Sequence, residues 1–188
     1  MPNASASGRP ACASTELRLS AAVGLLAAAS SGRHDIPDSL VEAYVLIGNP
    51  NTRKSTLVRS LTGCFNRSLR DIQPASGGPV LRLYARAGAL QETRTTPADF
   101  AAEVAGRRCG AVLFCLWPLA HPVDPQKLPD AAAYLDHLQS AGWRFKSIAV
   151  LGQNPGGWRG ATMRQFPQAP VDPVNVTAHH LRSHFGWL

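Results

Sequence analysis

Residues 44–63, YVLIGNPNTRKSTLVRSLTG, decide the fold. The run YVLIG (44–48) is short and apolar throughout, which is typical of a strand buried in a parallel sheet. The segment STLVRSLTG (55–63) predicts a helix that stops at Gly63. The apolar residues of this helix fall on one side: Leu57, Val58 and Leu61. A strand, a loop that begins with glycine and a helix therefore follow one another.

The loop between them, GNPNTRKS (48–55), departs at one position from the phosphate-binding pattern G-x-x-x-x-G-K-[ST], because Arg53 stands where glycine is expected. In such a loop, backbone N–H groups at the helix N-terminus point at the phosphates and the lysine bridges the outer ones. Lys54 and Ser55 are present for these roles. Glycine leaves room for the phosphates. The Arg53 side chain therefore tilts outward, occupies the phosphate position, or grips an anion itself.

Strands and helices alternate along the rest of the chain. The predicted strands are residues 80–86, 111–117, 147–152 and a short one at 173–176. The predicted helices are residues 37–43, 97–106, 130–141 and 177–188. The polar segment 64–79 has no strong periodicity, and we expect it to be irregular and mobile. This order predicts an α/β fold of P-loop NTPase type, with a mainly parallel sheet, helices on both faces and ligands bound beyond the carboxyl ends of the strands.

The wording of the loop, GNPNTRKSTL (48–57), resembles the first motif of Era-like (TrmE-Era type) small P-loop GTPases, G-N-P-N-x-G-K-S-x-L, at every position except Arg53. The family usually carries D-x-x-G after a later strand. In this chain Gly88 fits that second motif, while Ala85 replaces the aspartate on the magnesium side.

The third family motif, N-K-x-D, is matched by Asn154 alone, without its lysine and its guanine-reading aspartate. The fourth, a short [ST]-A-[KH] motif near the last helix, is matched by Thr177, Ala178 and His179. The resemblance covers residues 44–188 in layout, and its first and last motifs are the specific ones.

The resemblance implies a nucleotide-binding protein, with GTP somewhat ahead of ATP and with Mg²⁺ held by Ser55. The residues expected to bind the nucleotide are Gly48, Asn49, Pro50, Asn51, Thr52, Arg53, Lys54, Ser55, Thr56, Asn154, Thr177 and Ala178. Hydrolysis needs a metal ion fixed by an acidic residue, and none of the three longer predicted strands after the loop ends in Asp or Glu. Glu92 or Asp124 would reach the site only if their loops fold back. We therefore expect slow or absent hydrolysis and a regulatory, switch-like role.

The positive charge suggests two further hypotheses. The chain carries a net charge of +7. Residues 53–94 hold eight basic residues against Asp71 and Glu92, an excess of six charges. Such a surface suits an acidic partner or nucleic acid, although Arg-rich composition alone also produces ordinary surfaces of this kind. One alternative is therefore a pseudo-GTPase that binds no nucleotide and acts as a protein-interaction module. The other is nucleic-acid binding through the Arg-rich face.

The remaining composition bears on domains and location. Residues 1–33 are rich in Ala and Ser and predict a flexible or weakly helical leader, with a secretory signal as the alternative, and residues 34–188 form the P-loop NTPase-like domain. The four cysteines form no C-x-x-C pair, so we expect reduced thiols. No run approaches the roughly 18 apolar residues of a membrane span. We expect a cytoplasmic protein, because nucleotides are found there.

Overall fold

The computed structural model describes residues 40–188, which form six strands and four helices. The strands are β1 (Glu42–Gly48), β2 (Arg67–Ile72), β3 (Leu81–Ala89), β4 (Ala111–Leu116), β5 (Arg144–Leu151) and β6 (Met163–Phe166). The helices are α1 (Lys54–Thr62), α2 (Pro97–Ala105), α3 (Ala131–Ser140) and α4 (Val174–Phe185). The strands make one sheet in the order β2-β3-β4-β1-β5-β6. Only the β2–β3 pair is antiparallel within this sheet.

β1 is the most enclosed strand of the sheet: neighbouring strands cover both of its edges and helices cover both of its faces. It pairs in parallel with β4 on one side and with β5 on the other. Tyr44 and Leu46 belong to a core cluster that also contains apolar residues of α1 and α4. Val45 and Ile47 belong to a second cluster with apolar residues of α2 and α3. The chain therefore has the predicted α/β architecture, with helices on both faces of a mainly parallel sheet.

The helix boundaries follow local sequence signals. α1 ends at Gly63, which has a left-handed φ of 69°. α2 begins with a capping box in which Thr96 accepts from the backbone N–H of Asp99 and the Asp99 carboxylate accepts from Thr96, and Pro97 occupies the first turn as predicted. α3 is capped by Asp130. Its buried residues include the three of the apolar stripe: Tyr134, Leu135 and Leu138.

Two predicted elements are wrong. The first three residues of the predicted helix 37–43 fall outside the described residues, and none of the other four is helical: Glu42 and Ala43 lie in β1, because their backbones pair with β4 and β5. The predicted strand 173–176 forms the start of α4, where Pro173 is the N-cap and the helix buries Thr177 and Ala178 against the sheet. Helical burial of these later residues outweighs the strand preference of the Val-Asn-Val sequence.

Two strands, β2 and β6, have polar sequences and were not predicted. The segment expected to be irregular, 64–79, contains β2, which pairs along its whole length with β3. β6 pairs with β5 at the opposite end of the sheet. Edge strands are half-solvated, so their sequences lack the apolar run that marks a central strand. The leader predicted for residues 1–33 lies outside the described residues. Within residues 40–188 no helix is long and apolar enough to span a bilayer.

The loop after β5 packs so tightly that it requires glycine. Gly156 has a φ of 65°, and a Cβ at this position would lie 2.3 Å from the carbonyl oxygen of Pro118. Gly157 also has a positive φ, 82°, but a Cβ there would be 3.6 Å from the Cβ of Ala132. Backbone strain is thus common to both glycines, whereas the close approach is specific to Gly156.

We predict that Gly156→Ala lowers the free energy of unfolding by about 3 kcal/mol and Gly157→Ala by about 1 kcal/mol. Both substitutions carry the left-handed strain, and only the first forces Pro118 to move. Urea denaturation of the two variants beside the wild type measures the difference. Equal losses would show that the loop moves away from Pro118 freely.

Candidate functional site

The loop of residues 49–53 connects the carboxyl end of β1 to α1 and has an unusual backbone. Asn51 and Arg53 have positive φ angles of 65° and 59°. Arg53 is the N-cap of α1, and its carbonyl accepts from the N–H of Leu57. Left-handed residues that alternate with right-handed ones turn successive N–H groups toward one side and create an anion-binding concavity. The loop thus adopts a glycine-type conformation at Arg53 although no glycine is present.

Gly48 begins the loop at a point of close approach. The hydroxyl of Thr52 donates to the carbonyl of Asn49 at 2.8 Å, which folds the loop back over Gly48. A Cβ on Gly48 would lie 2.5 Å from the Thr52 Oγ1 atom and 3.2 Å from the Cβ of Leu151. The two remaining predicted contacts of the loop, Asn49 and Pro50, are exposed. The glycine is therefore required by the tight turn of the loop.

Lys54 is buried at the base of this loop, with 5% of its surface exposed. Its Nζ donates to the carbonyl oxygens of Gly48 at 2.8 Å and Asn49 at 2.6 Å, and lies 3.4 Å from the Thr52 hydroxyl. Among the residues that the structure describes, no carboxylate forms an ion pair with it. A buried ammonium compensated only by neutral oxygens is unfavourable, and an anion placed beside it would relieve this cost.

The environment of Lys54 alters its protonation. Burial lowers the pKa of the Lys54 ammonium, and the nearby Cys115 and Glu92 act in the opposite direction. Cys115 lies in β4, fully buried, and burial raises the pKa of its thiol to about 12. The thiol is therefore neutral at physiological pH, and Glu92 is the remaining source of negative charge. Of the two acidic residues considered from the sequence, Glu92 and Asp124, Glu92 is the one whose charge acts on the pKa of the lysine.

The Arg53 side chain tilts outward. It is exposed, and its Nη1 atom donates to the carbonyl oxygen of Asp172 at 3.1 Å. Asp172 lies in the turn that precedes α4. Of the three placements considered for this side chain, the structure has the outward one.

Ser55 and Thr56, the first-turn residues of α1, differ in their surroundings. The Ser55 hydroxyl donates to the carbonyl of Ala87 in β3 at 3.0 Å, whereas Thr56 is exposed. Ala87 follows the position where the family pattern has an aspartate. No group of three or more His, Cys, Asp or Glu side chains suited to a metal ion occurs within residues 40–188. The Ser55 hydroxyl is thus engaged by a backbone carbonyl of β3 and by no acidic side chain among residues 40–188.

The distant predicted residues are placed differently from one another. Asn154 is exposed, and its Oδ1 accepts from the N–H of Gly156 within its own turn. Ala178 is fully buried in the core cluster that contains Tyr44. Thr177 is 2% exposed, and its hydroxyl has no hydrogen-bond partner among the described residues.

Thr177 also lines a cleft of about 240 Å³ together with Asp172. Arg53 donates a hydrogen bond to the carbonyl of Asp172, so Arg53 and Thr177 both lie beside this residue. The structure gives Asn154 no hydrogen bond to the loop. Sequence analysis did not identify Asp172 and Ala87, because both accept hydrogen bonds through backbone carbonyls, which every residue type has.

The chain was compared with family models, with curated proteins and with solved structures, and no match was found in any of the three.

We predict that Lys54→Met leaves the free energy of unfolding at pH 7 equal to the wild-type value or raises it by up to about 2 kcal/mol, since it removes a buried charge. The folded-state pKa of Lys54 lies below the usual 10.5. Between these two values the unfolded state binds more protons, so wild-type stability rises with pH there and the gap to the variant narrows. Urea denaturation between pH 7 and pH 10.5 measures both effects.

Lys127→Met is the matched control, because the Lys127 side chain is exposed and its one ion-pair contact within residues 40–188 is a long one, 3.9 Å to Asp124. Its stability should stay within about 0.5 kcal/mol of the wild type at every pH. A Lys54→Met loss of more than about 1 kcal/mol at pH 7 would show instead that the lysine is needed to hold the empty loop together.

Proposed function

We propose that this chain binds a nucleotide through its phosphates at residues 48–56, with weak or absent hydrolysis, and acts as a regulatory, switch-like module. The observation that carries the proposal is the buried ammonium of Lys54, which among residues 40–188 is held only by neutral oxygens, beneath a loop with left-handed residues at Asn51 and Arg53. Phosphate is the anion that such loops at helix N-termini bind best.

Phosphate binding at this loop requires one rearrangement of the lysine. The backbone N–H groups at the start of α1 would donate to phosphate oxygens, and the dipole of this nine-residue helix would favour the negative charge. Lys54 would exchange the carbonyls of Gly48 and Asn49 for a charge-assisted hydrogen bond to phosphate. Arg53, already directed toward Asp172, would stay outside the concavity.

The resemblance to Era-like GTPases supports two finer parts of the proposal. It favours the P-loop NTPase type for this α/β fold, and it places GTP somewhat ahead of ATP. The preference for guanine rests on the resemblance alone, because the Asn154 side chain is engaged in its own turn and Thr177 lies within α4. A nucleotide ligand also favours a cytoplasmic location.

Weak hydrolysis follows from the surroundings of Ser55. Phosphoryl transfer needs a metal ion held by the loop hydroxyl and an acidic residue, and the Ser55 hydroxyl is directed at the Ala87 carbonyl. Glu92 is the carboxylate whose charge reaches Lys54, but it is exposed. Mg²⁺, if held, would use Ser55 and the phosphates themselves, so it would add little to binding.

A second candidate function is a pseudo-GTPase that binds no nucleotide and serves as an interaction module. The observation that favours it is that Lys54 and Ser55 both already donate to backbone carbonyls, to Gly48 and Ala87 respectively. In this candidate, the role of such bonds would be to stabilise an empty loop. Nucleotide titration distinguishes this candidate from the first.

We predict that calorimetric titration of the full chain with GTP, GDP, ATP and ADP shows binding heat, and that Lys54→Met weakens the affinity about 30-fold or more, because a charge-assisted hydrogen bond contributes about 2 kcal/mol. Lys127→Met, which removes an exposed lysine of the same charge, should bind like the wild type. Removing Mg²⁺ should change the affinity less than about threefold. Absence of heat for all four nucleotides at high micromolar protein would leave the pseudo-GTPase.

We further predict that Arg53→Gly changes nucleotide affinity by less than about tenfold, because the arginine side chain lies outside the concavity and the backbone already has the glycine conformation. Arg53→Ala, which removes the bond to Asp172 but keeps the left-handed strain, is the matched control and should behave similarly. A gain of about a hundredfold or more in both variants would show that the guanidinium enters the site in solution, whereas the same gain in Arg53→Gly alone would assign it to the Cβ or to the left-handed strain.

A further inference from the structure

The outer edge of β2 carries backbone groups that no residue of the described chain, 40–188, pairs with. Within these residues β2 lies at the end of the sheet and pairs only with β3. The N–H of Ala87 donates to the carbonyl of Asn66 at 2.7 Å, and this pair continues the antiparallel register. Hydrogen-bonded pairs alternate along an antiparallel ladder, so the N–H and C=O groups of Arg67, Leu69 and Asp71 point away from the sheet. This edge is a template for one more strand.

A polar cleft of about 430 Å³ opens beside the first residue of this edge, Arg67. It contains two carboxylates, and both are already engaged. The Asp99 carboxylate accepts from Thr96 in the capping box of α2. The Glu103 carboxylate accepts from the buried Arg86 at 2.8 Å and from the Tyr84 hydroxyl. The acidic groups of the cleft are therefore satisfied within the protein.

Two arginines of the same cleft keep free donors. Arg67 is 54% exposed, and its contact with Glu103 is long, 3.6 Å. Arg94 is exposed, and within residues 40–188 its side chain makes no hydrogen bond or ion pair. Its backbone has a positive φ of 50°, a conformation that non-glycine residues seldom adopt. The hydroxyl of Thr95 also lines the cleft. The cleft is thus a positively charged pocket at the end of an open strand edge.

We propose that the β2 edge receives an extended acidic segment of a partner protein, which adds a strand to the sheet and places a Glu or Asp carboxylate between Arg67 and Arg94. Main-chain hydrogen bonds to Arg67, Leu69 and Asp71 supply affinity, and the arginine pocket supplies specificity for an acidic side chain. A nucleic acid would satisfy the two arginines but not the outward backbone groups. Charge and unpaired backbone together therefore favour a peptide.

The test uses a fluorescein-labelled peptide of the sequence Glu-Thr-Glu-Val-Glu-Thr-Glu with blocked ends, and its counterpart with Lys in place of every Glu. Fluorescence anisotropy on the full chain should show binding of the acidic peptide and at least tenfold weaker binding of the basic one. Hydrogen exchange of the complex should show new protection at the amides of Arg67, Leu69 and Asp71, while the amides that already pair with β3 keep their protection.

Two sets of variants separate the pocket from the edge. Arg67→Glu and Arg94→Glu should each weaken the acidic peptide about tenfold, whereas Arg159→Glu, an exposed arginine between β5 and β6 at the other end of the sheet, should not. Leu69→Pro removes one outward N–H and should abolish the amide protection. Leu69→Ala loses the same packing but keeps the N–H, and it should retain binding.

Each contrary outcome overturns the proposal. These outcomes are no binding, equal binding of the basic peptide, and binding without protection of the outward amides. A single-stranded oligonucleotide that binds more tightly than the peptide, survives Leu69→Pro and is lost in Arg67→Glu would assign the surface to nucleic acid. If Leu69→Pro fails to fold, the arginine variants and the wild-type exchange pattern still decide. None of these measurements involves Lys54, so they stand independently of nucleotide binding.

Discussion

Burial of β1 on both faces and both edges is the constraint on which the rest of the structure depends. A strand in this position must be apolar throughout, and it divides the core into two clusters, one under α1 and α4 and the other under α2 and α3. Because β4 and β5 flank it in parallel, the loop that leaves its carboxyl end lies between the ends of two further strands. The sheet therefore holds the loop in the place where α/β proteins bind ligands.

Two opposing effects act on Lys54 at the base of this loop. Burial disfavours the charged ammonium, while hydrogen bonds to the carbonyls of Gly48 and Asn49 favour it. The groups needed for hydrolysis are poorly represented. The Ser55 hydroxyl donates to the Ala87 carbonyl, and Ala85 stands where the family motif has a carboxylate. These surroundings suit the proposed phosphate binding better than they suit turnover.

The central parts of the fold were predictable from sequence, since apolar runs mark buried strands and Thr96, Pro97 and Gly63 mark helix ends. The edges were not, because β2 and β6 are half-solvated and their pairing depends on neighbours distant in sequence. In the site, the phosphate-loop pattern identified Lys54 and Ser55 and left three placements possible for the Arg53 side chain. It could not select among them, because the outward placement depends on a carbonyl 119 residues away in sequence.

The arginine-to-carbonyl bond between Arg53 and Asp172 has a counterpart further along α1. The Arg182 guanidinium of α4 donates to the carbonyl of Ser60, so α1 is tied to α4 near both of its ends. α4 in turn leads into Trp187, which packs edge-on against Tyr44 of the central strand. The loop is thus anchored through two helices to the buried central strand. Its backbone is held before a ligand arrives, so a ligand that only exchanges the bonds of Lys54 would lose little affinity to ordering the protein.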